Sequence, residues 1–254
     1  MTAMILLSVL SPVQLPGAAT EFIHHRTEAR LETLLKDWEN PNQNIRAAHY
    51  LIDWTREDRV LKDKEVFQIE GFINRSKLAR IDMKDDRGKT TIIYLLNNKI
   101  LDLYNFTNEV KFSFEIPTGF PEEYVDNGSW LGEFLARSFQ AERELFYFEF
   151  PIGQIQQHYE IHLRKEDKHW AYIQLIPRTK EKESICRQME VVLDQKTHLV
   201  RQYRMLDVNG NSGIYDFRKI EINPTPPITL ESISKDLPKS FKELDVNKEL
   251  QINP

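Results

Sequence analysis

The chain has 254 residues, 41% hydrophobic and 29% charged, with 34 Lys and Arg against 39 Asp and Glu, a net charge of -5 and one cysteine, Cys186. Nine glycines and twelve prolines exclude a collagenous or low-complexity chain, and a lone cysteine excludes a disulfide framework or a Cys-based zinc site. The interleaved, slightly acidic charge argues against nucleic acid as a partner, and the length fits one large all-β domain or two small ones.

The first segment is an apolar run, Ala3-Met4-Ile5-Leu6-Leu7-Ser8-Val9-Leu10, followed by Pro12, Pro16, Gly17, Ala18 and Ala19. It is too short to cross a bilayer as a helix, and an apolar core ahead of small residues reads as a signal peptide over residues 1–19. A periplasmic or secreted location follows from that reading. No Lys or Arg precedes Arg26, a departure from the usual basic start that leaves a buried apolar segment as the other reading.

Leu31, Leu34, Leu35 and Trp38 then recur at the spacing of one helical face, up to Asn40-Pro41-Asn42, where proline disfavours helical geometry in the residue before it. Beyond this, short runs alternate with turn residues: Ala79 to Met83, Asp85-Asp86-Arg87-Gly88, Thr90 to Leu96, Asn97-Asn98, Ile100 to Tyr104. That is an antiparallel meander. In Val110 to Ile116 the apolar Val110, Phe112, Phe114 and Ile116 share one face, so one side is core.

An insertion over about 117–145 predicts a second amphipathic helix through Trp130, Leu131, Phe134, Leu135 and Phe139. Strand patterns resume at Tyr159 to Leu163, Trp170 to Ile176, Met189 to Leu193, Leu199 to Leu206 and Ile214 to Ile220, with Asp207-Val208-Asn209-Gly210 as a strong hairpin signal. From Asn223 the chain is proline-rich, and residues 224–254 read as a loosely packed extension. About ten strands and two helices predict a mainly β chain. Its sheet is strongly curved or forms an incomplete antiparallel barrel, with amphipathic helices covering the concave side of a 20–223 domain.

Several motifs that suggest chemistry fail on geometry. His158 and His162 have the spacing of a helical metal pair but sit in an alternating strand pattern, where residues four apart lie about 13 Å apart. Asp207, Asn209 and Asn211 mimic the start of a calcium loop, yet Ser212 and Arg218 occupy the positions that need glycine and glutamate. His24-His25 reads as a solvated dipeptide, and Cys186 as a small buried hydrophobe. Asn74-Arg75-Ser76, Asn105-Phe106-Thr107 and Asn127-Gly128-Ser129 match the glycosylation sequon, a frequent chance match. There is no glycine-rich phosphate loop and no nucleophile elbow. A non-enzyme without metal or cofactor is expected.

What stands out is an excess of apolar residues. In Phe67 to Ile73, and more so in Thr91 to Leu96, both faces carry bulky groups, so the sheet is covered on both sides or one face lines a cavity. Phe67, Ile69, Ile73, Ala79, Ile81 and Met83 share one parity across a break at 74–77, and Arg75 shares it too. A guanidinium directed at such a surface needs acceptors, such as the free carbonyls at a helix end; an exposed turn is the other reading of Arg75.

The run Phe67-Gln68-Ile69-Glu70-Gly71-Phe72-Ile73-Asn74-Arg75-Ser76-Lys77-Leu78-Ala79-Arg80-Ile81-Asp82, after the helix and the segment Asn44 to Asp58, resembles the outer-membrane lipoprotein carriers, the LolA and LolB group. So does the distal part: Val191 to Gln202, Asp207 through Asn211, Tyr215-Asp216-Phe217 and Ile222-Asn223. The likeness spans roughly residues 25 to 237, and is closest to a divergent planctomycete-type group of secreted proteins related to those carriers. It implies an incomplete β-barrel whose hydrophobic cavity is closed by a helical lid. It further implies a carrier of acyl chains of a lipoprotein or lipid, with Phe67, Ile69, Ile73, Ile81, Met83, Leu35, Trp38, Trp130 and Phe134 lining the site. Arg75 matches the arginine of that family's "R-P-N" turn, which holds the lid by hydrogen bonds to helix backbone; here Ser76 and Lys77 follow, without the proline. A monomer is expected, with an acylated protein or lipid, and a membrane transporter or acceptor lipoprotein, as partners. A non-catalytic protein-protein interaction module with a filled interior is the alternative.

Overall fold

A computed structural model describes residues 28–39, 44–74, 78–98, 100–115, 152–178 and 186–245. Helix α1 spans 28–39. Six strands follow: β1 (Ala47–Glu57), β2 (Lys64–Asn74), β3 (Leu78–Lys84), β4 (Thr90–Asn97), β5 (Ile100–Asn105) and β6 (Val110–Glu115). After helix α2 (Ile152–His158) come β7 (Tyr159–Glu166), β8 (Trp170–Pro177), β9 (Cys186–Asp194), β10 (Val200–Asp207) and β11 (Ser212–Ile222), then helix α3 (Leu230–Ser234) and β12 (Lys242–Asp245).

Among the described residues, all twelve strands join one sheet in the order β12-β6-β5-β4-β3-β2-β1-β11-β10-β9-β8-β7, not closed into a barrel. Two meanders, β1–β6 and β7–β11, are sewn together by the antiparallel pairing of β1 with β11. Asn223 secures that junction: its side-chain oxygen accepts the main-chain N–H groups of Arg46 at 2.8 Å and Ala47 at 3.0 Å. The strand pairings are antiparallel except β12, which lies parallel to β6.

Turn chemistry sets the register. In the β3–β4 turn the Asp85 carboxylate accepts the N–H groups of Arg87 and Lys89, and Gly88 takes φ +76°, a left-handed conformation cheap only for glycine. Asp207 does the same for Asn209 and Asn211 in the β10–β11 hairpin, with Gly210 at φ +87°. A carboxylate used in this way explains the spacing of Asp207, Asn209 and Asn211 without calcium.

The sheet has an inner face, against α1, and an outer face. Leu34, Leu35 and Trp38 of α1 bury against Tyr50, Ile52, Ile69, Ile173, Val191, Leu193 and Phe217, and Trp38 keeps only 2% of its surface exposed. On the outer face a second cluster joins Leu78, Ile93, Leu95 and Tyr104 to Ile228 and Ile233. The outer face of β4 is thereby covered, while on its inner face Tyr94 is buried and Ile92 and Leu96 are half-buried.

Three expectations change. β1 and β12 are strands that the alternation did not pick out. Residues 224–245 are no loose appendage: Ile228 and Ile233 are core residues, and β12 extends the sheet. His158 ends helix α2, while only His162 lies on a strand, its ring 3.0 Å from Glu160. The second amphipathic helix expected at Trp130 to Phe139 falls outside the described residues, as do the segment 1–19 and Arg75.

Candidate functional site

The apolar set read from β2 and β3 converges on the inner face. Leu35, Trp38 and Ile69 are buried in the α1 cluster, with the half-buried Ile73, Ile81 and Met83 packed along its side. Ile81 and Met83 also touch a further cluster on that face, formed by Tyr94, Leu101 and Leu103 with Ile92, Leu96 and Phe112 at its margin. The residues on either side of β3 are in register, with Ile81 opposite Tyr94 and Gly71, and Met83 opposite Ile92 and Ile69. The result is an apolar seam running from beneath α1 to β6.

Phe67 sits at the end of this seam, its ring 5.0 Å from Trp54, which in turn stacks on Tyr215 at 5.5 Å and 7°. Gly71 is required between them and Ile73. A Cβ there would lie 1.9 Å from the Tyr50 ring, so the ring fills the space over β2 that a side chain would take. Trp130 and Phe134, the remaining predicted lining residues, fall outside the described residues.

The other face carries a site that the sequence reading passed over. Arg80, with 5% of its surface exposed, donates from Nε to Asp82 Oδ1 at 2.6 Å and from Nη2 to Asp82 Oδ2 at 2.8 Å. Its Nη1 donates to the main-chain carbonyl of Ile233 at 2.8 Å and to Asp236. The contact expected of Arg75 falls outside the described residues; Arg80 makes one of that kind, to the carbonyl end of α3 on the outer face. The signal was present in Arg80-Ile81-Asp82, because residues two apart on a strand share a face and a cation can meet an anion there.

Burial works against the Arg80 charge, but the hydrogen bonds and charges of Asp82 and Asp236 outweigh it and raise its pKa. The hydrogen bond from Arg80 in turn lowers the Asp236 carboxyl below the ordinary Asp range, against a smaller desolvation effect. Nearby on the same face, burial pushes Glu70 up, yet its hydrogen bonds to Lys84 and His49 win and leave it lowered. These groups form a clamp and an ion-paired surface, without a nucleophile and base in contact. Among the described residues no group of three His, Cys, Asp or Glu side chains is placed to hold a metal ion, and no helix is long and apolar enough to cross a membrane. Cys186 is buried at the start of β9.

No family model and no curated protein matches the chain. Among solved structures it is similar to an uncharacterized conserved protein from Thermus thermophilus, at 9% identity over 85% of this chain and 99% of that one, with a TM-score of 0.50. It is also similar to MucB, at 10% identity over 84% of this chain and 65% of that one with a TM-score of 0.46; MucB from Pseudomonas aeruginosa is known in complex with MucA. A third likeness is to a LolA superfamily protein from Nitrosomonas europaea, at 8% identity over 77% of this chain and 94% of that one, with a TM-score of 0.33. At these identities the likeness is one of fold alone.

Proposed function

We propose that this chain is a non-catalytic carrier that holds acyl chains of a lipid or lipoprotein against the inner face of its sheet, with α1 as the movable cover. The supporting observation is the continuity of the apolar seam: Ile81 and Met83 join the cluster beneath α1 to the cluster on β4 and β5. A chain laid along such a seam gains about 0.8 kcal/mol per methylene removed from water, so several must be enclosed to compete with a membrane. Arg30 of α1 bonds Glu166 at 2.9 Å and Gln195 at 2.8 Å, and Leu34, Leu35 and Trp38 bury against apolar side chains of the sheet, contact that a lipid chain can replace in kind.

In this reading Phe67, Ile69, Ile73, Ile81 and Met83 form the floor, Leu35 and Trp38 the roof, Trp130 and Phe134 further lining, and Arg75 biases the closed state. Export to the periplasm or beyond, a monomeric state, and a membrane transporter or acceptor lipoprotein as partners belong to the same proposal. The alternative, an interaction module with a filled interior, draws on the completeness of packing under α1, where Ile173, Val191 and Leu193 retain 2% exposure or less.

The test is native mass spectrometry of protein purified from its exported fraction without detergent, followed by lipid extraction and by uptake of a palmitoylated peptide, with Arg75→Leu alongside. Co-purified acyl species, or peptide uptake, changed in the variant, is the expected result. A clean protein that also refuses the palmitoylated peptide overturns the carrier and leaves the interaction module.

A further inference from the structure

The outer face of the second meander carries a cleft of about 180 Å³ lined by Trp170, Tyr172, Val192, Arg201, Gln202 and Asp216. Its floor is a straight row across four strands: Tyr172 is opposite Val192, Val192 opposite Gln202, and Gln202 opposite Asp216. Trp170 lies two residues before Tyr172 on the same strand and so on the same face. The β9–β10 register shifts between Val200 and Gln202. The extra residue of that bulge is Arg201, and the bulge accounts for two successive side chains, Arg201 and Gln202, lining one cleft.

The polar groups here are uncommitted. Among the described residues, no side-chain hydrogen bond or ion pair engages Arg201, Gln202 or Asp216, although each is half-buried. In contrast, the ionic groups of the other outer-face half, Arg80, Asp82, Glu70 and Lys84, bond one another. Polar groups converging on a cleft beside aromatic rings are the composition of a ligand site. One face of Tyr172 is already taken by the Lys165 ammonium, 4.1 Å from the ring centroid, which fixes that ring as a wall.

The donor and acceptor set selects the ligand class. Asp216 would repel a simple anion and Arg201 a simple cation, whereas a polyhydroxylated ring offers hydroxyls that donate to the carboxylate and accept from guanidinium and amide at once. Its C–H face suits the aromatic walls. Pockets for drug-sized ligands run to about 300–1,000 Å³, and this smaller cleft suits a single ring. We propose that this cleft binds one sugar ring of a neutral saccharide, stacked on Trp170 and Tyr172 and hydrogen-bonded by Arg201, Gln202 and Asp216.

The site lies on the face opposite the apolar seam, so it stands or falls separately from the carrier reading. The experiment titrates the full chain with maltotetraose, cellotetraose and tetra-N-acetylchitotetraose, reading tryptophan fluorescence and saturation transfer to the sugar protons. Saturable binding of at least one of them with a Kd of about 1 mM or tighter is expected. Asp216→Asn, which preserves shape, and Trp170→Ala should each weaken it by about tenfold or more, while Trp54→Phe on the inner face leaves it unchanged. Should Trp170→Ala fail to fold, Asp216→Asn decides. No saturable binding to any of the three sugars, or binding that survives Asp216→Asn undiminished, overturns the proposal.

Discussion

Arg80 on β3 donates a hydrogen bond of 2.8 Å to the main-chain carbonyl of Ile233 in α3, across 153 residues of sequence. With its bonds to Asp82 and Asp236, this places one guanidinium between a central strand and the C-terminal segment. Carbonyls at a helix end lack intrahelical partners, so the contact satisfies the backbone as well as the charge.

Arg80→Ala removes one partner of a buried pair and strands the Asp82 carboxylate, at a cost of about 3–5 kcal/mol in urea unfolding. Asp236→Asn costs about 0–1 kcal/mol, because the Asp236 side chain is 60% exposed. Replacing both buried partners, as Arg80→Met with Asp82→Leu, should recover most of the stability. A double variant as unstable as Arg80→Ala would show that the desolvated charge is not the origin of the loss.

Asp236 and Glu70 have lowered pKa values in the folded chain. A carboxyl held lower in the folded than in the unfolded state binds fewer protons there, so its stabilisation is complete above the unfolded pKa and is lost as pH falls through the folded one. Stability and protection of residues 224–245 should therefore be level at neutral pH and decline below about pH 4. Hydrogen exchange at pH 6 and at pH 3, corrected for intrinsic rates, checks this. Protection that stays constant to pH 3 would remove the clamp's ionic contribution.

Gly71→Ala should be among the most damaging small substitutions in the chain, costing about 1–3 kcal/mol or more. Its new methyl meets the ring of Tyr50, which is 1% exposed and has no room to withdraw. Pairing it with Tyr50→Leu should return part of that loss, giving a coupling energy of about 0.5–3 kcal/mol in a double-mutant cycle. Additive effects would mean that the ring does not fix the glycine.

Ending the chain after Asn223 should shift the protein toward larger oligomers on size-exclusion chromatography. The truncation uncovers Ile93, Leu95 and Tyr104 and leaves β6 with unpaired N–H and C=O groups, a template for pairing with another chain. A truncated chain that elutes as the full one does and is equally stable would mean that residues 224–254 are a loosely packed extension after all.

Strand character and much of the seam were legible because β2 and β3 keep a strict period of two, which puts Phe67, Ile69, Ile73, Ile81 and Met83 on one face. Where the period breaks, reading failed. β1 carries small residues at Ala47 and Ala48 and an apolar Leu51 on its outer side. In β11 a register shift opposite Leu51 and Ile52 lets Phe217 and Ile220 both face the α1 cluster, so no single parity describes that strand. Ile228 and Ile233 were overlooked because a proline-rich stretch gives no periodicity at all. Arg80 was passed over for Arg75 because charge within a strand reads as solvent-facing until something is known to cover it. The uncommitted polar row Gln202 and Asp216 depends on pairing across strands, which no linear spacing encodes.

The parallel pairing of β12 with β6 has a consequence for how the chain comes into being. A chain that emerges amino end first can form the β1–β6 meander early. Its two outer strands, however, wait for partners synthesised much later: β1 for residues 212–222 and β6 for residues 242–245. Until then both borders of the nascent meander are open for capture by a neighbour, and the seal on β6 waits for a segment that follows the whole second meander. Such long-range closure is slow. The first meander stays exposed at both borders until the second meander and the segment beyond it have been made.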